Sequence, residues 1–234
     1  MKGIIYYTDN RISGPIIENA KIYISASELP ITSCSLKPIE FGKNIVVDGL
    51  RSYPTMVKQI ITALANCTTK YVFFCEHDVL YHKSHFDFIP PKDDIFYYNA
   101  NVWRWRFGED TVITYDRMLP LSCMCVNREF ALQHYRMRQQ KIDEWGLDHF
   151  RSREPRLARI WGYEPGTKKK RRGGFSNDDF DTWQSKHPNI DIRHKWSFSS
   201  PKIRLLEFKH APKKWQEKSI DLLDGWELKK LNLL

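Results

Sequence analysis

The apolar positions of this chain change period as it runs. Gly3-Ile-Ile-Tyr-Tyr7 is a short apolar run closed by Thr8-Asp9-Asn10, and it predicts a first strand over residues 2–7. Ile16, Ile17, Ala20 and Ile24 then fall near helical spacing, which predicts a helix from Ile16 to Ser25. Ile31 to Leu36 reads as a second strand, and Ile45-Val-Val47 as a short extended piece before Asp48-Gly49. Pro54 opens a helix to about Asn66, with Met56, Val57, Ile60, Ile61 and Leu64 along one face. Tyr71 to Cys75 is unbroken apolar and aromatic sequence, the mark of a strand buried on both faces. Strand and helix alternate through this half, which predicts an α/β protein with a largely parallel sheet.

The second half is less regular. Ile95-Phe-Tyr-Tyr98 and Leu119 to Val126 read as buried strands, and Asn127 caps a helix to about Lys141. Phe175 to Trp183 predicts a further helix opening, with Asn177 or Asp178 at its cap, and Pro188 to His194 an alternating strand. His82 and His85 lack further ligands nearby and read as surface residues. Asn99-Ala-Asn101-Val-Trp103-Arg-Trp105 mixes amides with indoles, which suits a wall that stacks on sugar rings or bases, or an ordinary packed edge. Residues 151–172 are strongly basic, either a solvated loop or a phosphate contact. The tail, Lys202 to Leu234, is basic and amphipathic; it either packs on the sheet or lies against a membrane surface.

Composition narrows the class. The 234 residues suffice for one large domain, or a domain with a small appendage, and apolar content is an ordinary 41%. No apolar run approaches the roughly 20 residues of a membrane span, and the first apolar stretch is too short for a signal peptide. The five cysteines, at 34, 67, 75, 123 and 125, have no metal-type pairing and read as buried free thiols, which fits a reducing, cytoplasmic setting. A net charge of +9 suits attraction to nucleic acid, to an anionic membrane met peripherally or to another polyanion, without choosing among them. There is no Gly-x-Gly-x-x-Gly and no Walker loop, so an ordinary dinucleotide fold and a P-loop kinase are disfavoured.

The candidate chemistry lies at strand ends. Glu76-His77-Asp78 puts two carboxylates and an imidazole directly after the Tyr71–Cys75 run, where open α/β sheets bind ligands. Carboxylates at i and i+2 can meet one hard cation and the phosphates it carries; a solvated polar turn is the alternative. Thr8, Asp9 and Asn10 hold the matching position after the first strand, as nucleotide contacts or as an Asx-type turn. Of the adjacent acids Asp178 and Asp179, helix capping uses one and leaves the other for a pocket.

Taken together, Tyr6 to Asn10, Phe74 to Tyr81, Gly162 to Thr167 and Ile190 to His194 resemble the GT-A fold glycosyltransferases, in particular small stand-alone bacterial or phage-type members. The resemblance covers about residues 1–200. It implies a mostly parallel central sheet flanked by helices, a nucleotide-sugar half over residues 1–81, an acceptor half over 82–200, and a basic tail packed on the domain over 201–234. It further implies that Thr8, Asp9 and Asn10, with Glu76 and His77, contact the donor nucleotide. Asp78, helped by Glu76 and by His194, would ligate Mn²⁺ or Mg²⁺, and Asp178 or Asp179 would act as the base of an inverting enzyme. The triplet opens with Glu where the family motif has Asp. The implied activity is metal-dependent transfer from a nucleotide-diphosphate sugar to a hydroxyl of a surface glycan, a lipid-linked sugar or a modified DNA base. A nucleic-acid-binding module and a metal-dependent nuclease or nucleotidyltransferase are the competing classes.

Overall fold

A computed structural model describes residues 1–145, 162–167, 179–195, 197 and 202–231. It is a mixed α/β structure of two sheets flanked by helices. In chain order its elements are β1 (Lys2–Thr8), α1 (Pro15–Ser25), β2 (Ile31–Ser35), β3 (Lys43–Val46), α2 (Tyr53–Asn66), β4 (Tyr71–Glu76), β5 (Val79–Leu80), β6 (Ile95–Asn99), β7 (Val102–Arg106), β8 (Thr111–Thr114), β9 (Met124–Asn127), α3 (Arg128–Trp145), β10 (Asp179–Trp183), β11 (Asn189–Arg193) and β12 (Gln216–Ser219).

The larger sheet has seven strands in the order β10-β6-β9-β4-β1-β2-β3. Its β3-β2-β1-β4 half is parallel, as the strand–helix alternation predicts. β9 enters antiparallel between β4 and β6, while β10 joins β6 in parallel. β4 therefore lies inside the sheet, and both its faces are covered. Val72 and Phe74 pack toward α2 and α3, with Val57, Ile60, Leu64 and Tyr135. Phe73 and Cys75 pack the other way, with Val79, Tyr81, Phe86 and Val102. This two-sided burial is the reason the run has no polar alternation.

The smaller sheet, β12-β8-β7-β11-β5, covers that second face. Its outer side is closed by α1 and the C-terminal segment, with Trp103, Trp105, Ile190 and Ile192 against Ile16, Ile17, Ala20, Leu223 and Trp226. Trp105 is fully buried and Trp103 nearly so. The indoles are thus core, and the reading of the Asn99–Trp105 stretch as an open stacking wall gives way to the packed-edge alternative. The tail likewise packs on the sheet, through β12 against β8 and Trp226 in the core.

Two local expectations are corrected. Asp179 to Trp183 is strand β10, not the start of a helix, because β6 offers an open edge that pairs it in register from Asp179↔Ile95 to Trp183↔Asn99. Trp183 then stacks on Phe88 at 4.2 Å, a contact a helix cap would not allow. His85 is not a surface residue but fully buried, because the 3-10 turn from Lys83 to Asp87 tucks it against Phe73, Tyr81 and Trp183. Elsewhere Asn127 caps α3 through the Glu129 and Phe130 amides, at 3.0 and 3.2 Å, and all five cysteines are buried free thiols. The basic run of residues 151–161 and 168–172 lies outside the described residues.

Candidate metal and nucleotide site

β4 ends at Glu76, and the chain then leaves the larger sheet, turns through His77 and Asp78, and enters the smaller sheet as β5. Two bonds fix this exit. The Tyr81 hydroxyl accepts from the Glu76 amide at 2.9 Å and donates to the Ser122 carbonyl at 2.8 Å. The Asp78 carbonyl accepts from the Ile192 amide at 2.8 Å, next to the Asp191↔Val79 pairing of β11 with β5. That register carries His194, just past β11, onto Asp78: His194 Nε2 lies 3.2 Å from Asp78 Oδ2.

His77, Asp78 and His194 each offer a ligand atom, and these atoms lie within 4.8 Å of one another. His77 Nδ1 is buried with no hydrogen-bond partner among the described residues. A buried ring nitrogen without a partner is costly unless something else satisfies it. Two imidazoles and one carboxylate fit a transition-metal dication, with room for oxygens of a ligand in the remaining positions. Burial works against the Asp78 charge, but the His194 hydrogen bond and the charges of His77, His194 and Arg193 outweigh it and hold the carboxyl below its ordinary range. Glu76 stands apart from the three. Burial, then the Asp78 charge, push it up to about 8, and it accepts from the Tyr7 hydroxyl.

The cluster opens into a cavity of about 160 Å³. One wall comes from the ends of β1 and β2. Thr8 and Asp9 line it, and Gln59, buried on α2, donates to the Thr8 and Cys34 carbonyls at 2.7 and 3.3 Å, tying both strand ends to the helix. Asp9 accepts from Arg51 at 2.5 Å and from the Arg11 amide at 3.1 Å. Asn10 does not line the cavity: with φ of 57°, a conformation asparagine tolerates, it accepts from the Leu36 and Lys37 amides and braces the β1 and β2 loops. The opposite wall holds Asp191 and Arg193, whose guanidinium donates to Asp191 at 2.7 Å, while Arg104 approaches the same carboxylate at 3.2 Å. Glu164 and Tyr163 complete it. Their segment is held by Arg138, which donates to the Gly162 carbonyl at 2.7 Å, and by the Tyr98 hydroxyl on the Pro165 carbonyl at 2.7 Å.

Of the residues the sequence singles out, Thr8, Asp9, Glu76, His77, Asp78 and His194 come to this one place. Asp179 is exposed on the outer strand β10 and does not line the cavity, and Asp178 lies outside the described residues. Sequence reasoning missed Arg51, Glu164, Asp191 and Arg193, all near turns or strand ends, and it gave His77 to the nucleotide where the geometry sets it beside Asp78. No local ligand spacing flags the pair, because His194 is 116 residues from Asp78. No protein-family model matches the chain, and no curated protein matches it.

Proposed function

We propose that the protein is a metal-dependent glycosyltransferase of GT-A type that uses a nucleotide-diphosphate sugar. The observation that carries this reading is the His77, Asp78 and His194 cluster at the C-terminal end of the central strand, opening into a cavity walled by the β1 and β2 ends. Ligands of open α/β sheets bind at this place. His77, Asp78 and His194 would hold Mn²⁺ in preference to Mg²⁺, because two of the three are imidazoles, and the ion would supply charge stabilisation to a leaving nucleotide diphosphate. Arg193, oriented by Asp191, adds a fixed positive charge to the same wall. Thr8, Asp9 and Arg51 form the base and ribose side. An acceptor hydroxyl needs a carboxylate to take its proton. Asp178 is one source. Glu164 is the other, and it lines the cavity.

A two-ion nuclease is less well supported, since it needs a second cluster of ligands about 4 Å from the first, and the described residues offer the single group of three. The test is thermal unfolding with UDP, GDP, CDP and dTDP, with and without Mn²⁺. A nucleotide at 100 times its dissociation constant adds about 2.7 kcal/mol of stability. One nucleotide is expected to raise the midpoint only with metal, and Asp78→Asn to remove the effect while leaving the unliganded protein folded. The absence of a metal-dependent shift with all four nucleotides would end this reading.

A further inference from the structure

The C-terminal segment carries an exposed apolar pair that the core does not use. Leu206 is 97% exposed and Leu205 43%, side by side at the tip of a 3-10 turn, Leu205–Glu207. Single exposed leucines are ordinary; an adjacent exposed pair on a fixed turn in a basic segment is a candidate contact. The turn is held by the Glu207 carboxylate, which accepts from the Ile203 and Arg204 amides at 2.7 and 3.0 Å and from Arg106 at 3.2 Å. Phe208 braces it from below, with its ring 5.3 Å from Tyr115 and 5.7 Å from Trp215. Lys202, Arg204, Lys209, Lys213 and Lys214 flank the turn in sequence; Lys202 lies over the Phe208 ring at 5.3 Å, Arg204 pairs with Glu109 at 3.2 Å and Lys214 lies 4.0 Å from Asp116, while Lys209 and Lys213 are exposed. Glu207, the one acid between Lys202 and Trp215, is turned inward onto Arg106.

We infer that this turn is a docking point on an anionic lipid bilayer. Leucines at a preformed tip enter the region below the headgroups, while the flanking cations meet the anionic headgroups themselves. A nucleic-acid surface would use the same cations but has no place for the leucines, because phosphates are bound by charge and hydrogen bonds. The placement is also directed. Arg106, which holds Glu207, pairs in register with Arg193, and the Phe107 amide donates to the Arg193 carbonyl at 3.1 Å. The turn thus sits at the strand end that delivers His194, so a bilayer bound there lies on the side of the candidate site. Resting on the glycosyltransferase reading, this makes the acceptor a lipid-linked hydroxyl and not a DNA base.

The test is co-sedimentation of the full chain with phosphatidylcholine vesicles, with and without phosphatidylglycerol, at low and high salt. Binding is expected only with the anionic lipid and is expected to weaken with salt. Leu205→Ser with Leu206→Ser should lower partitioning about tenfold or more, and Lys209→Ala with Lys213→Ala about fivefold for each lysine. The unfolding midpoint of the leucine variant should stay at the wild-type value, because these side chains leave the core untouched. No binding to anionic vesicles at low salt overturns the inference. So does binding that the leucine variant retains, or binding to duplex DNA that matches the vesicles and ignores the leucines. A metal-dependent nucleotide shift with no vesicle binding sinks only the docking point. Vesicle binding with no such shift leaves the docking point and sinks the enzyme.

Discussion

His85 should make this protein acid-sensitive, and the size of the effect follows from its surroundings. Its ring is packed among Phe73, Tyr81, Phe86 and Trp183, and the Asn99 amide approaches Nδ1 at 3.1 Å. Nε2 is buried with no hydrogen-bond partner among the described residues. Burial pushes the ring's pKa down from its ordinary 6.5 to about 3. The folded state therefore refuses a proton that the unfolded chain accepts. Stability from this group is complete above pH 6.5 and drains away as pH falls toward 3, at up to about 1.4 kcal/mol per pH unit. By pH 4.5 the loss is on the order of 3 kcal/mol, a large share of a typical domain's total. His85→Phe removes the titration and keeps an aromatic ring in an aromatic pocket. Asn99 keeps its bond to Ser185 at 2.8 Å. The larger ring costs about 1–3 kcal/mol at every pH, so it cancels in the comparison. Urea unfolding at pH 7.5 and 4.5 gives the decisive quantity, the drop between the two conditions. Wild type should lose more than the variant, by an amount on the order of 3 kcal/mol. Equal losses would refute a neutral, buried His85.

Two further predictions concern the scaffold of the site. Arg138 is buried and donates to the Tyr53 hydroxyl, the Gly162 carbonyl and His134 at 2.7, 2.7 and 2.8 Å, so Arg138→Met should cost about 3 kcal/mol or more in urea unfolding; a loss under about 1 kcal/mol would show the network to be dispensable. Gly42 has φ of 63° and a Cβ there would sit 2.4 Å from the Ile31 carbonyl oxygen, whereas Gly14, at φ of 81°, has nothing within 4 Å. Gly42→Ala should therefore destabilise by about 2 kcal/mol or more and Gly14→Ala by about 1, and the reverse order would contradict the close packing of β2 on the β3 approach.

The first half of the fold was readable because each element there is decided locally. β1 and β4 are apolar runs within the sheet, and α2 shows one apolar face with Ser52 accepting from the Thr55 amide at its start. Of the smaller sheet, β11 was readable as an alternating strand and the rest was not. β5 has two residues and β12 is mostly exposed, and β10, at the edge of the larger sheet, alternates nothing, so none of these three carries a period. These strands exist because neighbours offer open edges, which is a property of the tertiary structure and not of their own residues. The same holds for Trp103 and Trp105, whose burial depends on α1 and a tail segment more than 100 residues away.

The candidate site divides along the same line. Residue types at strand ends pointed to Thr8, Asp9 and Asp78, because a strand's exit can be seen in sequence, whereas His194 was singled out through the family resemblance. What sequence does not contain is register. Pairing β11 with β5 at Asp191↔Val79 brings His194 to Asp78, and a slip of one residue would turn that imidazole to the other face. The short β5, unremarkable as a strand, is thus what joins the two halves of the cluster. It also explains the departure at Glu76: the last residue of β4 still belongs to the larger sheet and points at Tyr7, whereas His77 and Asp78 have already turned toward β11. Glu76 is therefore not among the three side chains that lie close enough together to hold an ion, which are His77, Asp78 and His194.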